Sequence, residues 1–269
     1  MKRSQDRILT THVGSFPRPQ ALLELSSGQS GPPKDPEEYE RRVRLAVAEI
    51  VRKQAQVGLD VVNDGEYGKS SWANYILERI SGFELRPNDM RPVAWLGRDL
   101  ERFPEAIAQD FPQIMKGVPT EACVGPILYK DTAAIDGAIE HLTDAMKSVQ
   151  VTEGFMTAVA PASAAYDGIN EFYPSEREYA FALADALRTE YLAIHRAGLL
   201  VQVDDAVLAN MYDALVQQSP QRYRDWAQIR VDALNHALRG IPEDRVRYHV
   251  CFGSWHVPHV ADAPLEAII

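Results

Sequence analysis

The hydrophobic positions of this sequence take a helical spacing three times, and each time the pattern ends at a glycine that precedes a short apolar run. Ser175 and Glu178 have the spacing of a capping box at the start of the second helix. Glycine ends a helix readily because it adopts the left-handed conformation without strain. The three predicted helix–strand units cover residues 35–58 with 59–66, 175–198 with 199–205, and 223–240 with 246–252.

Three further apolar runs predict strands over residues 8–13, 121–126 and 154–160, with a helix over residues 131–146 between the last two. Strands that alternate with helices predict right-handed crossovers and a parallel sheet. Six such units favour a (β/α) barrel over a doubly wound sheet, because polar and ionisable side chains gather at the carboxyl ends of four strands. The sequence carries no Gly-x-Gly-x-x-Gly fingerprint for a dinucleotide.

We interpret residues 1–269 as a single α/β barrel domain in which residues 67–119 form an excursion or lid, since that stretch has no clean period. An eight-stranded barrel needs two more βα units, yet only 17 residues follow Phe252. We therefore expect a truncated sequence or an open sheet. An open parallel edge is suited to pairing with a second chain, as in a homodimer.

Composition narrows the range of partners. The 269 residues are 46% hydrophobic and carry 38 acidic and 28 basic side chains, a formal net charge of −10. This charge disfavours nucleic acid and anionic membranes, and no apolar run approaches the roughly 20 residues of a membrane span. Two cysteines are too few for a disulfide framework, and no signal-peptide core follows the amino terminus. We expect a cytoplasmic protein that acts on a small molecule.

His249 and Cys251 are the first candidates for chemistry. They lie two residues apart on a predicted strand and therefore project to the same face. An imidazole and a thiolate are both good zinc ligands. On this pair alone, a buried cysteine beside a hydrogen-bonded histidine is the more common interpretation.

Polar side chains also close other predicted strands, and Ser15 follows Gly14, where the backbone is able to approach a ligand closely. Carboxylates at a barrel mouth are costly unless they hold a cation or an arginine, although each one is also compatible with a helix cap or a salt bridge. His12, His256 and His259 are secondary candidates. The residues at the strand ends are Ser15, Asp64, Glu66, Gln202 and Asp204.

Four segments together resemble the motifs of one known family. They are Thr10–Pro19, Gly58–Glu66, Gln202–Asp205 and His249–Cys251. In order and spacing they are similar to the catalytic domain of cobalamin-independent methionine synthase and its single-domain relatives, which include the epoxyalkane:coenzyme M transferases. The uroporphyrinogen decarboxylases share the wider fold.

The resemblance implies a (β/α)8 barrel, here without its last two βα units, that transfers a methyl or alkyl group from an alkyl donor to a thiol such as homocysteine. It implies zinc as cofactor, with His249 and Cys251 as ligands. Ser15, Glu66 and Asp204 are implied as substrate-binding residues, with Asp204 also catalytic. The family's other ligands, a glutamate and a second cysteine, come from later strands, so we expect weak metal binding and little activity without them.

Two alternatives remain open. The first is transfer of coenzyme M or another thiol to an epoxide, although a sulfonate would need cationic partners where Glu66 and Asp204 stand. The second is a catalytically inactive barrel that binds a ligand or a partner subunit.

The turn after Asp204 departs from the family pattern, since Asp205 and Ala206 replace the usual Glu-Pro.

Overall fold

A four-stranded parallel sheet forms the centre of the computed structural model, which describes residues 1–26, 33–93, 95–252 and 259–268. Its strand order is β1-β4-β6-β7, and a second sheet has the order β2-β3-β5. The strands are β1 (Val61–Val62), β2 (Phe83–Arg91), β3 (Val118–Cys123), β4 (Glu153–Val159), β5 (Gly168–Asn170), β6 (Leu200–Asp205) and β7 (Val246–Val250).

Helices connect these strands and cover the outer face of the central sheet. Within the described ranges the α-helices are α1 (Gln20–Leu25), α2 (Pro36–Gln56), α3 (Tyr75–Arg79), α4 (Asp99–Arg102), α5 (Pro104–Asp110), α6 (Ala133–Met146), α7 (Glu176–Arg196), α8 (Val207–Val216) and α9 (Pro220–Ala237). Short 3-10 helices cover Ile114–Lys116, Glu243–Arg245 and Leu265–Ala267. The order β4-α7-β6-α9-β7 with parallel pairing is that of a barrel wall.

The predicted helix starts are confirmed by their caps. The Asp35 carboxylate accepts a hydrogen bond from the Glu38 N–H at 3.1 Å. Ser175 caps α7 as predicted, since its Oγ accepts from the Glu178 N–H at 3.2 Å. Its hydroxyl also donates to the Glu178 carboxylate at 2.8 Å, where a full capping box has the Ser175 N–H as donor. Gly58 and Gly198 follow the ends of α2 and α7 with φ of 87° and 80°. These local signals fix where each helix begins and ends.

The strand predictions were partly wrong. Residues 8–13 form an extended segment outside both sheets, joined to β1 through the Thr10 carbonyl, which accepts from the Asp60 and Val61 N–H groups. The predicted strand 59–66 is reduced to Val61–Val62, because its last residues turn into the site described below. The sequence pattern also missed helix α8, which follows β6 directly.

The predicted strand 121–126 exists as β3, but it lies in the second sheet and not in the barrel wall. It pairs antiparallel with β2 and parallel with β5. Strand β2 lies inside residues 67–119, which also contain α3, α4 and α5. A separate apolar cluster around Val93, Trp95 and Ile107 packs against Tyr166 and against Met211 of α8. Tertiary packing thus brings residues 67–119 against the segment that follows β4 and against helix α8.

A buried ionic cluster joins α7 to the region after β1. Glu190 has no exposed surface, and its carboxylate accepts hydrogen bonds from Tyr75 at 2.7 Å, Tyr129 at 3.0 Å and Arg79 at 3.1 Å. The Arg79 guanidinium also lies 4.7 Å from the centre of the Tyr75 ring. Because Glu190 is fully buried and only 9% of the Arg79 side chain is exposed, removal of one charge leaves the other largely buried without compensation.

No helix among the described residues has the length and apolar character needed to span a membrane.

The Glu190 cluster gives a stability prediction. Glu190→Gln should lower the free energy of unfolding by about 3 kcal/mol, because it leaves the Arg79 guanidinium buried without a counter-charge. Urea denaturation measures this change. Asp185→Asn on the same helix is the control, since its exposed pair with His236 should contribute less than about 1 kcal/mol. Equal effects of the two substitutions would contradict a structural role for the buried pair.

Two carboxyl groups at the second sheet, Glu121 in β3 and Asp167 directly before β5, should make the stability of the protein depend on pH. Burial and the nearby charge of Asp167 raise the pKa of Glu121 to about 7, and burial raises the pKa of Asp167 to about 6 despite the hydrogen bond from Trp95. Both groups hold protons more tightly in the folded chain than in the unfolded one. The unfolding free energy should therefore fall as the pH rises from about 4 to about 7.

Glu121→Gln should reduce this fall, as measured by urea denaturation at several pH values. Glu171→Gln is the contrasting variant, because Arg86 lowers the pKa of Glu171 and its removal acts in the opposite direction. A Glu121→Gln profile that parallels the wild type would show that Glu121 titrates normally.

Candidate active site

Two rows of side chains cross the inner face of the central sheet near the carboxyl ends of its strands. Register places Thr157 of β4 beside Gln202 of β6, and Gln202 beside Arg247 of β7. One step further along the strands, Asp204 lies beside His249. In a parallel sheet paired residues point to the same face, so polar side chains of three strands converge here.

Glu66, which follows β1, is a buried carboxylate of this region, with 3% of its surface exposed. The Ser15 hydroxyl donates to its Oε2, and the Thr157 hydroxyl donates to its Oε1 at 2.5 Å. Each carboxylate oxygen therefore has one protein donor and retains capacity for a ligand. This arrangement suits the binding of a cationic group.

The backbone around Glu66 is under constraint. Glu66 has a φ of 60°, in the left-handed region that non-glycine residues seldom adopt. Its N–H donates to the Asp64 carboxylate at 3.0 Å, and its carbonyl accepts from Arg18 at 3.2 Å. Gly14 has a φ of 152°, and a Cβ at that position would lie 3.0 Å from Glu66 Oε1. The close approach of the Gly14 backbone thus requires glycine.

Electrostatics keeps Glu66 ionised although it is buried. Burial alone raises the pKa of a carboxyl group, but the charge of Lys69 and the hydrogen bonds from Ser15 and Thr157 outweigh that effect, so the pKa of Glu66 lies below its ordinary value. Asp64 behaves differently, since burial raises its pKa. Of these two neighbouring carboxyl groups, Glu66 is the one whose surroundings favour the anion.

Asp204 and His249 form the second part of the site. The Asp204 Oδ1 lies 2.8 Å from His249 Nδ1 and accepts a hydrogen bond from the Gln202 amide at 2.8 Å. A hydrogen bond to Asp204, followed by the interaction with Cys251, raises the pKa of His249 to about 9. When Nδ1 donates to Asp204, a neutral His249 has its lone pair on Nε2.

Arg247 sets the orientation of Gln202. Its guanidinium donates to the Gln202 carbonyl oxygen at 2.6 Å, to the His12 carbonyl at 3.2 Å and to the Thr11 hydroxyl at 3.1 Å. The Gln202 amide nitrogen must then face Asp204, because the arginine occupies the oxygen end of the side chain. The same contacts tie the segment 8–13 to β7 across the inner face of the sheet.

The donor chemistry of His249 and Cys251 fits zinc, since imidazole nitrogen and thiolate sulfur are its preferred ligands. A catalytic zinc site ordinarily uses three protein ligands. Within the described ranges, no group of three or more His, Cys, Asp or Glu side chains is arranged as a metal site. The two residues are therefore suited to be part of a ligand set and need at least one further ligand.

The structure brings the predicted site residues together in two groups. Ser15 lies against Glu66, and Asp204 lies against His249, which interacts with Cys251. Of the other candidate histidines, His12 lies beside the site with its ring bonded to Gln54 at 2.8 Å, and His259 bonds to Asp262 on the surface at 2.9 Å. His256 lies outside the described residues.

Three residues of the site were not predicted from the sequence, namely Lys69, Thr157 and Arg247. Thr157 and Arg247 lie on predicted strands, and the period of two along each strand is a signal that would have pointed them inward. Lys69 has no such signal, because a lysine in a loop is ordinarily exposed. Asp205 faces the other way, where its carboxylate accepts from Ser163 at 2.7 Å and from the Leu208 N–H at 3.2 Å at the start of α8.

Comparison with known proteins places this geometry in context. Residues 8–94 match the family model described as "Cobalamin-independent synthase, Catalytic domain". The chain is 26% identical over 263 residues to a protein named methionine synthase from Sulfolobus acidocaldarius. This alignment covers 96% of the chain and 66% of the relative. The chain is 25% identical over 254 residues to a methionine synthase from Thermococcus kodakarensis, covering 92% of this chain and 63% of the relative. The chain thus spans slightly less than two thirds of both relatives.

Solved structures show the same fold. The structure of a B12-independent methionine synthase from a Shewanella species, in complex with selenomethionine, matches with a TM-score of 0.65 and 19% identity, covering 91% of this chain and 61% of that chain. A putative vitamin-B12-independent methionine synthase from Listeria monocytogenes matches with a TM-score of 0.58 and 20% identity, covering 93% and 68%. The predicted class of β/α barrel is confirmed.

The contact between Gly14 and Glu66 gives a prediction for the site. Gly14→Ala should lower the free energy of unfolding by about 1–3 kcal/mol, because the added methyl group would press on Glu66 and on Thr157 in a backbone conformation that favours glycine. Urea denaturation measures the change. Gly68→Ala is the matched control, since a Cβ there meets Val43 at an ordinary 3.7 Å. A Gly14→Ala protein as stable as the control would show that the segment relaxes freely.

Proposed function

The resemblance of this chain to the cobalamin-independent methionine synthases is confirmed over most of its length, and we propose that it transfers a methyl group from an alkyl donor to a thiol such as homocysteine. The observation that carries the proposal is a buried, ionised carboxylate in contact with Thr157 of β4, on the sheet face that also carries His249, whose side chain interacts with Cys251. The carboxylate supplies amino-acid recognition, and the imidazole and the thiol supply metal ligands.

Glu66 is the proposed binding residue for the substrate ammonium group. Its carboxylate is desolvated and negatively charged, so a charge-assisted hydrogen bond to an ammonium ion is stronger there than at the surface. Ser15 holds Oε2 and thereby fixes the direction in which the free lone pairs point. A sulfonate at this position would meet a like charge, which favours homocysteine over coenzyme M as the thiol.

His249 and Cys251 are the proposed zinc ligands, through Nε2 and Sγ. Bound zinc would lower the pKa of an incoming thiol and keep it as a thiolate at neutral pH. Asp204 accepts a hydrogen bond from His249 Nδ1 and so holds the tautomer that presents Nε2. This gives Asp204 a role in orienting the metal ligand, beside the substrate contact that the family resemblance implies.

In the proposed reaction the substrate sulfur attacks the methyl carbon of the donor. A sulfur–carbon bond forms, the bond between the methyl carbon and the leaving group breaks, and the leaving group departs with that electron pair. The thiol proton passes to solvent water before attack, and the thiolate sulfur supplies the electron pair of the new bond. Glu66 and Ser15 bind and orient the amino acid.

We also propose residues 67–119 as a cover over this mouth of the barrel. Their apolar cluster contacts α8, which follows β6 directly.

Zinc binding by cysteine variants tests the proposal. Cys251→Ser should reduce the zinc bound per protein to background, because it removes a thiolate ligand from a set that contains few protein donors. The measurement is metal analysis after equilibration with zinc and removal of the excess. Cys123→Ala is the matched control, since Cys123 is buried, donates to the Gly125 carbonyl and lies in the second sheet. This variant should keep the zinc content of the wild type.

Zinc affinity should also rise with pH up to about 9, because metal binding to His249 must displace the proton held by its raised pKa. Equal zinc content in wild type and Cys251→Ser would remove the ligand assignment. Methionine formation from homocysteine and a methyl donor, measured with the same proteins, then tests the transfer itself. Zinc binding without any turnover of homocysteine would contradict the proposed substrate.

A further inference from the structure

Lys69 is a buried lysine in the loop between β1 and α3, with 7% of its surface exposed. Its ammonium group donates to the Thr157 hydroxyl and to the Thr157 carbonyl, each at 2.7 Å, and lies 4.0 Å from Glu66 Oε1. It also lies 4.4 Å from the centre of the Tyr75 ring. Lysine is seldom buried unless it has a specific partner, so these contacts need an explanation.

The contacts of Lys69 decide how Thr157 meets Glu66. An ammonium group only donates hydrogen bonds, so the Thr157 hydroxyl must accept from Lys69 and has its own proton free. That proton points to Glu66 Oε1, 2.5 Å away. Lys69 thus acts on the Glu66 carboxylate in two ways, by its charge at 4.0 Å and by fixing the direction of the hydroxyl between them.

Among the charged groups around Glu66, Lys69 lowers the pKa of the carboxyl group most, and Arg18 lowers it to a smaller extent. Arg18 donates to the backbone carbonyls of Glu66 and Lys69 and so holds the loop. Burial lowers the pKa of His12 and favours its neutral form, and burial raises the pKa of Asp64, which accepts the Glu66 N–H. Within the described ranges, Lys69 is the cation that forms an ion pair with the Glu66 carboxylate.

We propose that Lys69 is a positioning residue that keeps Glu66 ionised and aimed at the substrate's α-amino group, so that it sets the preference for amino-acid thiols over thiols that lack an amine. This inference rests on the proposed function of Glu66. It assigns the selection of the amine to a residue that itself does not touch the substrate. Without the lysine, burial would favour the protonated carboxyl group, which binds an ammonium ion weakly.

The test compares two probes by calorimetric titration, L-methionine and 4-(methylthio)butanoate, which is methionine without its amino group. Wild type should bind methionine at least about 10-fold more tightly at pH 6.5, since only methionine offers the charged donor. Lys69→Met should reduce that ratio to less than about 3-fold at pH 6.5, and the ratio should recover towards pH 8.5 as Glu66 ionises.

Three further variants separate charge from structure. Lys69→Arg retains the positive charge and should keep the ratio within about 3-fold of wild type. Lys69→Gln retains a hydrogen-bond donor without charge and should reduce the affinity ratio of the two probes as Lys69→Met does. It replaces Lys69→Met in the test if that variant does not fold. Lys53→Met removes an exposed lysine of α2 and should leave the ratio unchanged. Thermal denaturation confirms that each protein is folded.

The outcomes distinguish this inference from the proposed function. If wild type binds both probes equally, Glu66 does not recognise the amine and both proposals are overturned. If wild type prefers methionine and folded Lys69→Met or Lys69→Gln keeps the full preference at pH 6.5, the role of Lys69 alone is overturned. A loss at pH 6.5 that recovers at pH 8.5 in these variants, with retention in Lys69→Arg, supports it.

Discussion

The site depends on a buried negative charge, the carboxylate of Glu66. Glu66 is almost fully desolvated, and a carboxyl group in that environment would ordinarily be protonated. It remains an anion because Ser15, Thr157 and Lys69 surround it with two hydrogen-bond donors and one positive charge. The rest of the local structure serves this arrangement, including the left-handed backbone of Glu66 and the close approach of Gly14.

The second constraint is the register of the parallel sheet. A shift of β7 against β6 by one residue would turn His249 away from Asp204 and bring Tyr248 inward, because successive side chains alternate between faces. The register is supported on the inner face by Arg247 and Gln202 and on the outer face by the bond from Tyr248 to Asp205. Contacts on both faces of the sheet therefore fix the position of His249 beside Asp204.

Asp205 illustrates how a departure from the family pattern is accommodated. Its carboxylate takes no part in the inner face and instead receives the Ser163 and Tyr248 hydroxyls and the Leu208 N–H. Burial raises its pKa, and these three donors compensate in part. The turn after Asp204 is thereby anchored to α8, which in turn contacts the cluster around Trp95. This turn links the site to the region proposed as its cover.

Local patterns in the chain were enough to predict the class of fold, the starts of α2 and α7 and the four motifs, together with the two-residue spacing that predicts His249 and Cys251 on one strand face. These features depend on neighbours within a few residues, where helical and strand periods hold. Only the tertiary structure decided that β3 leaves the barrel wall and that Lys69 and Thr157 hold Glu66. Thr157 lies 91 residues after Glu66, and no local pattern encodes a hydrogen bond between groups so far apart in the chain.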